Sequence, residues 1–169
     1  MFDVEKIRAD FPILSRQVNG KPLVYLDNGA SAQKPQVVID AVTRAYAEEY
    51  ANVHRGLHFL SNLATEKYES VRGIVARFLG APDEEEIVFT SGTTEGINLV
   101  SYGWAAPRLQ AGDEIVLSIL EHHANIVPWH FLRERQGVVI KWIEVDGIGA
   151  LDPAKVLDAI TPRTKLIAV

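Results

Sequence analysis

The segment Ser91-Gly92-Thr93-Thr94-Glu95-Gly96 sets a glycine among hydroxyls where an apolar run over residues 87–89 gives way to a helical pattern. A strand-to-helix turn of this composition leaves backbone N–H groups pointing outward, and the helix dipole adds partial positive charge at the same place. A phosphate can sit there without a lysine, with the Thr94 hydroxyl as a further donor. The turn is not a nucleotide P-loop, because no Lys-Ser or Lys-Thr follows, and no G-x-G-x-x-G follows any predicted strand. The competing reading is that Ser91, Thr93 and Thr94 only cap the helix.

A second chemical segment, Glu121-His122-His123-Ala124-Asn125, follows the next apolar run. An imidazole at the end of a strand can stack on a flat ring, and its near-neutral titration suits proton transfer. The competing reading is an inert surface histidine. Taken together, the two segments describe a pocket that grips a phosphate and lays a ring beside it. Two upstream stretches can complete it. Residues 26–31, with Gly29 and Ala30, form a small-residue turn whose backbone donors suit a carboxylate. Residues 52–58 place Arg55 beside His54 and His58, and a guanidinium pairs bidentately with a carboxylate; the alternative is a solvated loop arginine. A metal site built from Glu121, His122, His123 and either His130 or His54 is disfavoured. Adjacent histidines rarely address one ion, and no H-E-x-x-H helix is present.

These segments need elements to hold them. Asp3 caps a short helix reaching about residue 10, stopped by Phe11-Pro12, and residues 19–22 form a turn before a strand at 23–26. Pro35 opens a helix whose apolar positions Val38, Ala41, Val42, Ala45 and Tyr46 share helical spacing, and a second helix runs from about residue 62 to 79, closed by Gly80. Apolar runs at 87–89, 115–117, 138–140 and 166–169 are expected as buried strands. Helices at about 94–106, 128–135 and 152–160 alternate with them. That order implies an α/β fold with a largely parallel sheet and ligands at the carboxyl ends of its strands. A buried strand at 166–169 with nothing after it suggests a chain cut short, rather than a natural edge.

Composition removes several classes of function. A net charge of −5, with no basic cluster, gives no nucleic-acid footprint. No apolar run is long enough to span a membrane, and the opening MFDVEKIRADF has no signal-peptide pattern. Zero cysteines exclude both a disulfide framework and a thiol nucleophile within these residues, and the expected location is cytoplasmic.

The strings YLDNGASAQKP, NVHRGLHFLSNLAT, TSGTTEGINLV and EHHANIVPW resemble, in order, successive motifs of the SufS-type (group II) cysteine desulfurases, within the class-V aminotransferase group of pyridoxal-phosphate enzymes. The resemblance implies fold type I, with a mostly parallel central sheet and flanking helices. It also implies that the chain is an N-terminal fragment: residues 1–22 form a helix and arm packing with a small domain, and 23–169 begin an incomplete large domain. Its cofactor would be pyridoxal 5'-phosphate, bound by Thr93, Thr94 and His122. His122 stacks on the ring and assists proton movement. Gly29 and Ala30 lie beside the substrate carboxylate, with His54 and Arg55 in the substrate-binding region; His123 and Glu95 receive no role.

The implied reaction converts L-cysteine to L-alanine and leaves sulfur as a persulfide on the enzyme, for iron–sulfur cluster assembly. The enzyme would be a homodimer serving a sulfur-acceptor protein. The family's Schiff-base lysine, nucleophilic cysteine, ring-pairing aspartate and substrate arginine come later and have no counterpart here, so these residues alone are expected to be inactive. Selenocysteine lyase or kynureninase-like members of the same class remain alternatives, as does a short non-catalytic binding chain.

Overall fold

The computed structural model describes residues 2–169, which divide into two compact units, one reaching Ile87 and the other spanning Val88–Val169. In the first unit, helix α1 (Val4–Ala9) is capped by Asp3, whose carboxylate accepts the Lys6 N–H at 3.1 Å. Phe11-Pro12 ends it, as proline must, and a 3-10 turn follows over Pro12–Ser15. Strands β1 (Gln17–Val18) and β2 (Lys21–Pro22) pair antiparallel around Asn19 and Gly20, both at positive φ (52° and 74°), which is the chemistry of a tight hairpin turn.

The expected strand at 23–26 does not form. Val24 and Leu26 are 74% and 91% exposed, and beyond the Leu23 N–H bond to the Arg16 carbonyl at 2.9 Å this stretch joins no ladder among the described residues, so its β-propensity has little to act on. Pro35 stands just outside helix α2 (Gln36–Arg44) as its cap rather than inside it, and the helix loosens into a π-type turn over Ala45–Glu49. Helix α3 (Phe59–Leu79) starts three residues before the expected position. It ends on Gly80 at φ 73°, where the missing Cβ permits the left-handed cap.

The second unit holds a three-stranded parallel sheet in the order β4 (Val139–Ile143), β3 (Glu114–Ser118), β5 (Thr164–Ala168). This bears out the α/β class with a parallel sheet. β3 is central and buried along its whole length, whereas β4 and β5 keep partly open faces, correcting the expectation that all the apolar runs are buried. The run at 87–89 is not a strand: Val88 is 63% exposed, and the Ile87 carbonyl is taken by the Arg72 guanidinium at 2.5 Å instead of a ladder N–H.

Helices α4 (Thr93–Leu99), α5 (Val127–Gln136) and α6 (Pro153–Ala159) lie close to their expected positions, with α4 continuing as π-type turns over Val100–Ala105. Ile115, Leu117, Trp129, Leu132 and Val138 form the core with Ala105 and Leu109. Each large side chain buried there contributes roughly 1.5–3 kcal/mol.

The two ends of β3 are polar for different reasons. At the amino end, the buried Glu114 carboxylate accepts from the Thr161 hydroxyl (2.6 Å) and from Arg163 (3.0 Å), with Lys141 at 3.6 Å. The Thr161 bond, followed by these cations, holds its pKa below the usual value. At the carboxyl end, the buried Ser118 opens the loop that carries the histidines.

Candidate functional site

Gly92 precedes α4 in an extended conformation, and among the described residues no side chain caps the helix. The first-turn N–H groups of an α-helix have no intrahelical acceptor, so those of α4 remain available to an anion. The capping reading of Ser91, Thr93 and Thr94 is therefore not what the structure displays. Instead, the Glu95 carboxylate reaches back and accepts both the backbone N–H (2.5 Å) and the hydroxyl (2.6 Å) of Ser91. Those two bonds, the hydroxyl's first, lower the Glu95 pKa from its ordinary value. They also fix the turn with Thr93 and Thr94 on the helix side of it. The Asn98 side chain adds a donor to the Thr94 carbonyl at 2.8 Å.

His122 stands at the head of a 3-10 turn over His123–Asn125, and its Nδ1 accepts the Ala124 N–H at 3.1 Å. An accepting Nδ1 assigns the ring proton to Nε2. Thr94, Asn98, His122, His123, Ala124, Val127 and Pro128 line one open cleft of about 310 Å³. The fold thus brings Thr94 and His122 together in the second unit, with Thr93 starting the adjoining helix. Unspent N–H donors, a hydroxyl and an imidazole in one cleft are the donor set that a phosphate ester on a flat heteroaromatic ring requires, so these residues fit pyridoxal 5'-phosphate. Among the described residues no three His, Asp or Glu side chains gather as metal ligands.

The scaffold behind His122 is built from tertiary contacts that local sequence pattern barely marks. Glu121 accepts from the Ser118 hydroxyl (2.6 Å) and from Asn125 Nδ2 (2.8 Å). Asn125 Nδ2 also donates to the Ala168 carbonyl (3.1 Å), and its Oδ1 accepts from Trp129 Nε1 (3.1 Å). Only the capacity of Asn to bridge several partners hinted at this role.

The remaining candidates lie in the first unit. Gly29 and Ala30 sit in a turn where the N–H groups of Ala30 and Ser31 donate to the Asp27 carbonyl, so part of the donor set expected for a carboxylate is used internally. The Tyr25 hydroxyl braces that turn on the Asp27 and Ser31 carbonyls. His54 and Arg55 occupy a separate loop. His54 has φ 66°, and the Arg55 N–H bonds the Val53 carbonyl at 2.9 Å, which closes a strained γ-turn on His54. Helix α3 holds it there: Thr65 accepts the His54 N–H (2.9 Å), Glu69 lies 3.1 Å from Nε2, and the Tyr68 ring meets the imidazole edge-on. Among the described residues the Arg55 guanidinium has no ion-pair partner.

Residues 24–169 match the family described as aminotransferase class-V. The chain is 51% identical over 168 residues to a probable cysteine desulfurase 1 of Mycobacterium leprae and 53% identical to a cysteine desulfurase of Salmonella gallinarum, covering 99% of itself in both cases. It spans 28% and 41% of those proteins' lengths. Among solved structures, the apo cysteine desulfurase from Thermococcus onnurineus NA1 superposes with a TM-score of 0.85 at 40% identity, covering 99% of this chain and 40% of that one. The cysteine desulfurase CsdA from Escherichia coli, in its S-sulfonic acid form, gives 0.76 at 38% identity, with 99% and 41% covered. Family profile, relatives and folds agree: the chain belongs to the class-V aminotransferase family, whose cofactor is pyridoxal 5'-phosphate.

Proposed function

We propose that this chain supplies the phosphate anchor and ring contact of a SufS-type, pyridoxal-phosphate-dependent cysteine desulfurase. That enzyme would turn L-cysteine into L-alanine, hand the sulfur to an enzyme persulfide, and feed iron–sulfur cluster assembly. The observation that carries the proposal is the single cleft in which Thr94 and His122 meet beside the uncapped start of α4. The cofactor, when bound, supplies an electron sink for the substrate carbanion.

The chain's own residues do the rest of what falls to it. The first-turn N–H groups of α4, with Thr93 and Thr94, hold the phosphate. The Glu95–Ser91 bonds keep that turn in shape before anything binds, which spares the cost of ordering it later. The His122 ring would contact the bound cofactor and move a proton at Nε2, while Nδ1 stays on the Ala124 N–H. In the same reading the turn at Gly29 and Ala30 meets the substrate carboxylate, Arg55 pairs with it, and the anchored His54 aims Arg55. The protein acts in the cytoplasm as a homodimer and passes sulfur to an acceptor protein.

A persulfide needs a thiol, and residues 1–169 contain none. Residues 1–169 alone, given pyridoxal phosphate and L-cysteine, should therefore release no sulfide above a cofactor-only control; sulfide above it would refute the division of labour. In the complete enzyme, His122→Ala should impair alanine release far more than it impairs cofactor retention. Unchanged turnover in that variant would refute the role given to His122.

A further inference from the structure

The side-chain amide of Asn125 uses both of its donors and its oxygen. Its two N–H hydrogens reach Glu121 Oε2 (2.8 Å) and the Ala168 carbonyl (3.1 Å), and its oxygen takes the Trp129 indole N–H (3.1 Å). The backbone N–H of Asn125 closes the turn on the His122 carbonyl at 2.8 Å. One residue thus ties the His122 turn to three separate supports: the end of β5, the core-buried Trp129 of α5 (2% exposed), and, through Glu121, the buried Ser118 at the end of β3. His122 itself is exposed, and among the described residues its ring accepts one backbone hydrogen bond, from the Ala124 N–H. A ring so lightly held keeps its orientation only if its turn is rigid.

We propose that Asn125 is a positioning residue for His122, fixing through the Glu121–Asn125–Trp129 bridge the turn on which the imidazole stands. The proposal deepens the reading of the Thr94–His122 cleft and rests on it for its effect on turnover, but not for its effect on the ring. Losing the bridge leaves the turn attached by its backbone. The His122 Nδ1 bond to Ala124 then opens more often, and the proton distributes between both ring nitrogens. Misplacement by a fraction of an ångström to an ångström costs catalysis roughly tenfold to a hundredfold with little change in substrate affinity.

The test is nitrogen-edited NMR of the His122 ring in the cofactor-free protein, with amide exchange at Ala124, for wild type, Asn125→Ala and Trp129→Phe. Trp129→Phe keeps an aromatic ring in the core and removes the indole N–H with part of the ring volume, so it serves if Asn125→Ala does not fold. Wild type should show one tautomer, protonated on Nε2. The variants should show mixed tautomers and Ala124 exchange about tenfold faster, as expected for one lost hydrogen bond. In the holoenzyme, kcat should fall while KM holds. Folded variants with wild-type ring signals and Ala124 exchange would overturn the proposal, even if their Tm were lower. Disturbed ring signals with unchanged kcat would leave the positioning intact and overturn the role given to His122.

Discussion

The Glu95 carboxylate accepts both the N–H and the hydroxyl of Ser91, at 2.5 and 2.6 Å, so the acid in the first turn of α4 is also the lock of the turn before it. A negative charge in the first helical turn is favoured by the helix dipole, and here the Glu95 carboxylate is turned back onto Ser91. The Ser91 bonds put the folded-state pKa of Glu95 below its ordinary 4.5. The stabilisation is therefore present above that ordinary value and is lost as pH falls below it, through the folded-state value. Exchange of the Ser91 amide should accelerate on acidification below about pH 4.5 in wild type, relative to the intrinsic rate; it should be free of this transition in Glu95→Gln, whose amide oxygen still accepts at every pH, and fast at every pH in Glu95→Ala. A wild-type amide with no such step would contradict the lock.

Thr94→Ala removes a hydroxyl from the cleft without touching the helix N–H groups. A hydrogen bond to a charged group contributes about 1.5–3 kcal/mol. Affinity for pyridoxal phosphate should thus fall roughly tenfold to a hundredfold, while affinity for unphosphorylated pyridoxal stays as it is. Thr93→Ala should show whether the neighbouring hydroxyl shares the load. Equal losses for both ligands would place the hydroxyl on the ring and not on the phosphate.

Gly56 faces Ser61 so closely that an added Cβ would lie 2.3 Å from the serine Cβ and Oγ. Ser61 is 1% exposed and anchors the loop by donating to the Asn52 carbonyl at 2.6 Å. Gly56→Ala should therefore cost about 1–3 kcal/mol in chemical denaturation, as overpacking does. It should also displace the His54–Arg55 turn, seen as loss of the His54–Glu69 contact by NMR. A neutral effect on both would show the loop to be free of α3.

What the sequence disclosed was mostly local. Asp3, Asp152, Gly80 and Gly137 each act on the nearest helical turn, and the helices they bound were legible from those residues alone. Strands need a partner that local pattern does not name. The runs at 23–26 and 87–89 carry strand residues, yet no ladder among the described residues takes them in, while 139–143 and 164–168 pair with β3. The site divides the same way. The turn chemistry of residues 91–96 and the paired histidines could be read directly. The support of Asn125 on Ala168, 43 residues onward, and the left-handed backbone of His54 set by Thr65 and Glu69 depend on tertiary contacts.

The core that carries the cleft gives a separate prediction. Trp129 is 2% exposed among Leu117, Leu132 and Val138, and its indole N–H is bonded to Asn125. Trp129→Ala should cost about 3–5 kcal/mol, which is large against the stability of an ordinary domain. Trp129→Phe should cost far less in stability and show its effect at His122. If the two substitutions reduced stability equally, the indole's packing would not be what holds α5 to the sheet.

The most direct test of the central claim is a binding titration of the protein with pyridoxal phosphate beside pyridoxal, followed by circular dichroism in the cofactor's absorption band. The account predicts saturable binding of the phosphate ester, at least about tenfold tighter than pyridoxal. Thr94→Ala should reduce that preference, and His122→Ala should alter the induced band while retaining it. Equal affinity for the two compounds, or a preference untouched by Thr94→Ala, would contradict a phosphate anchor at the start of α4.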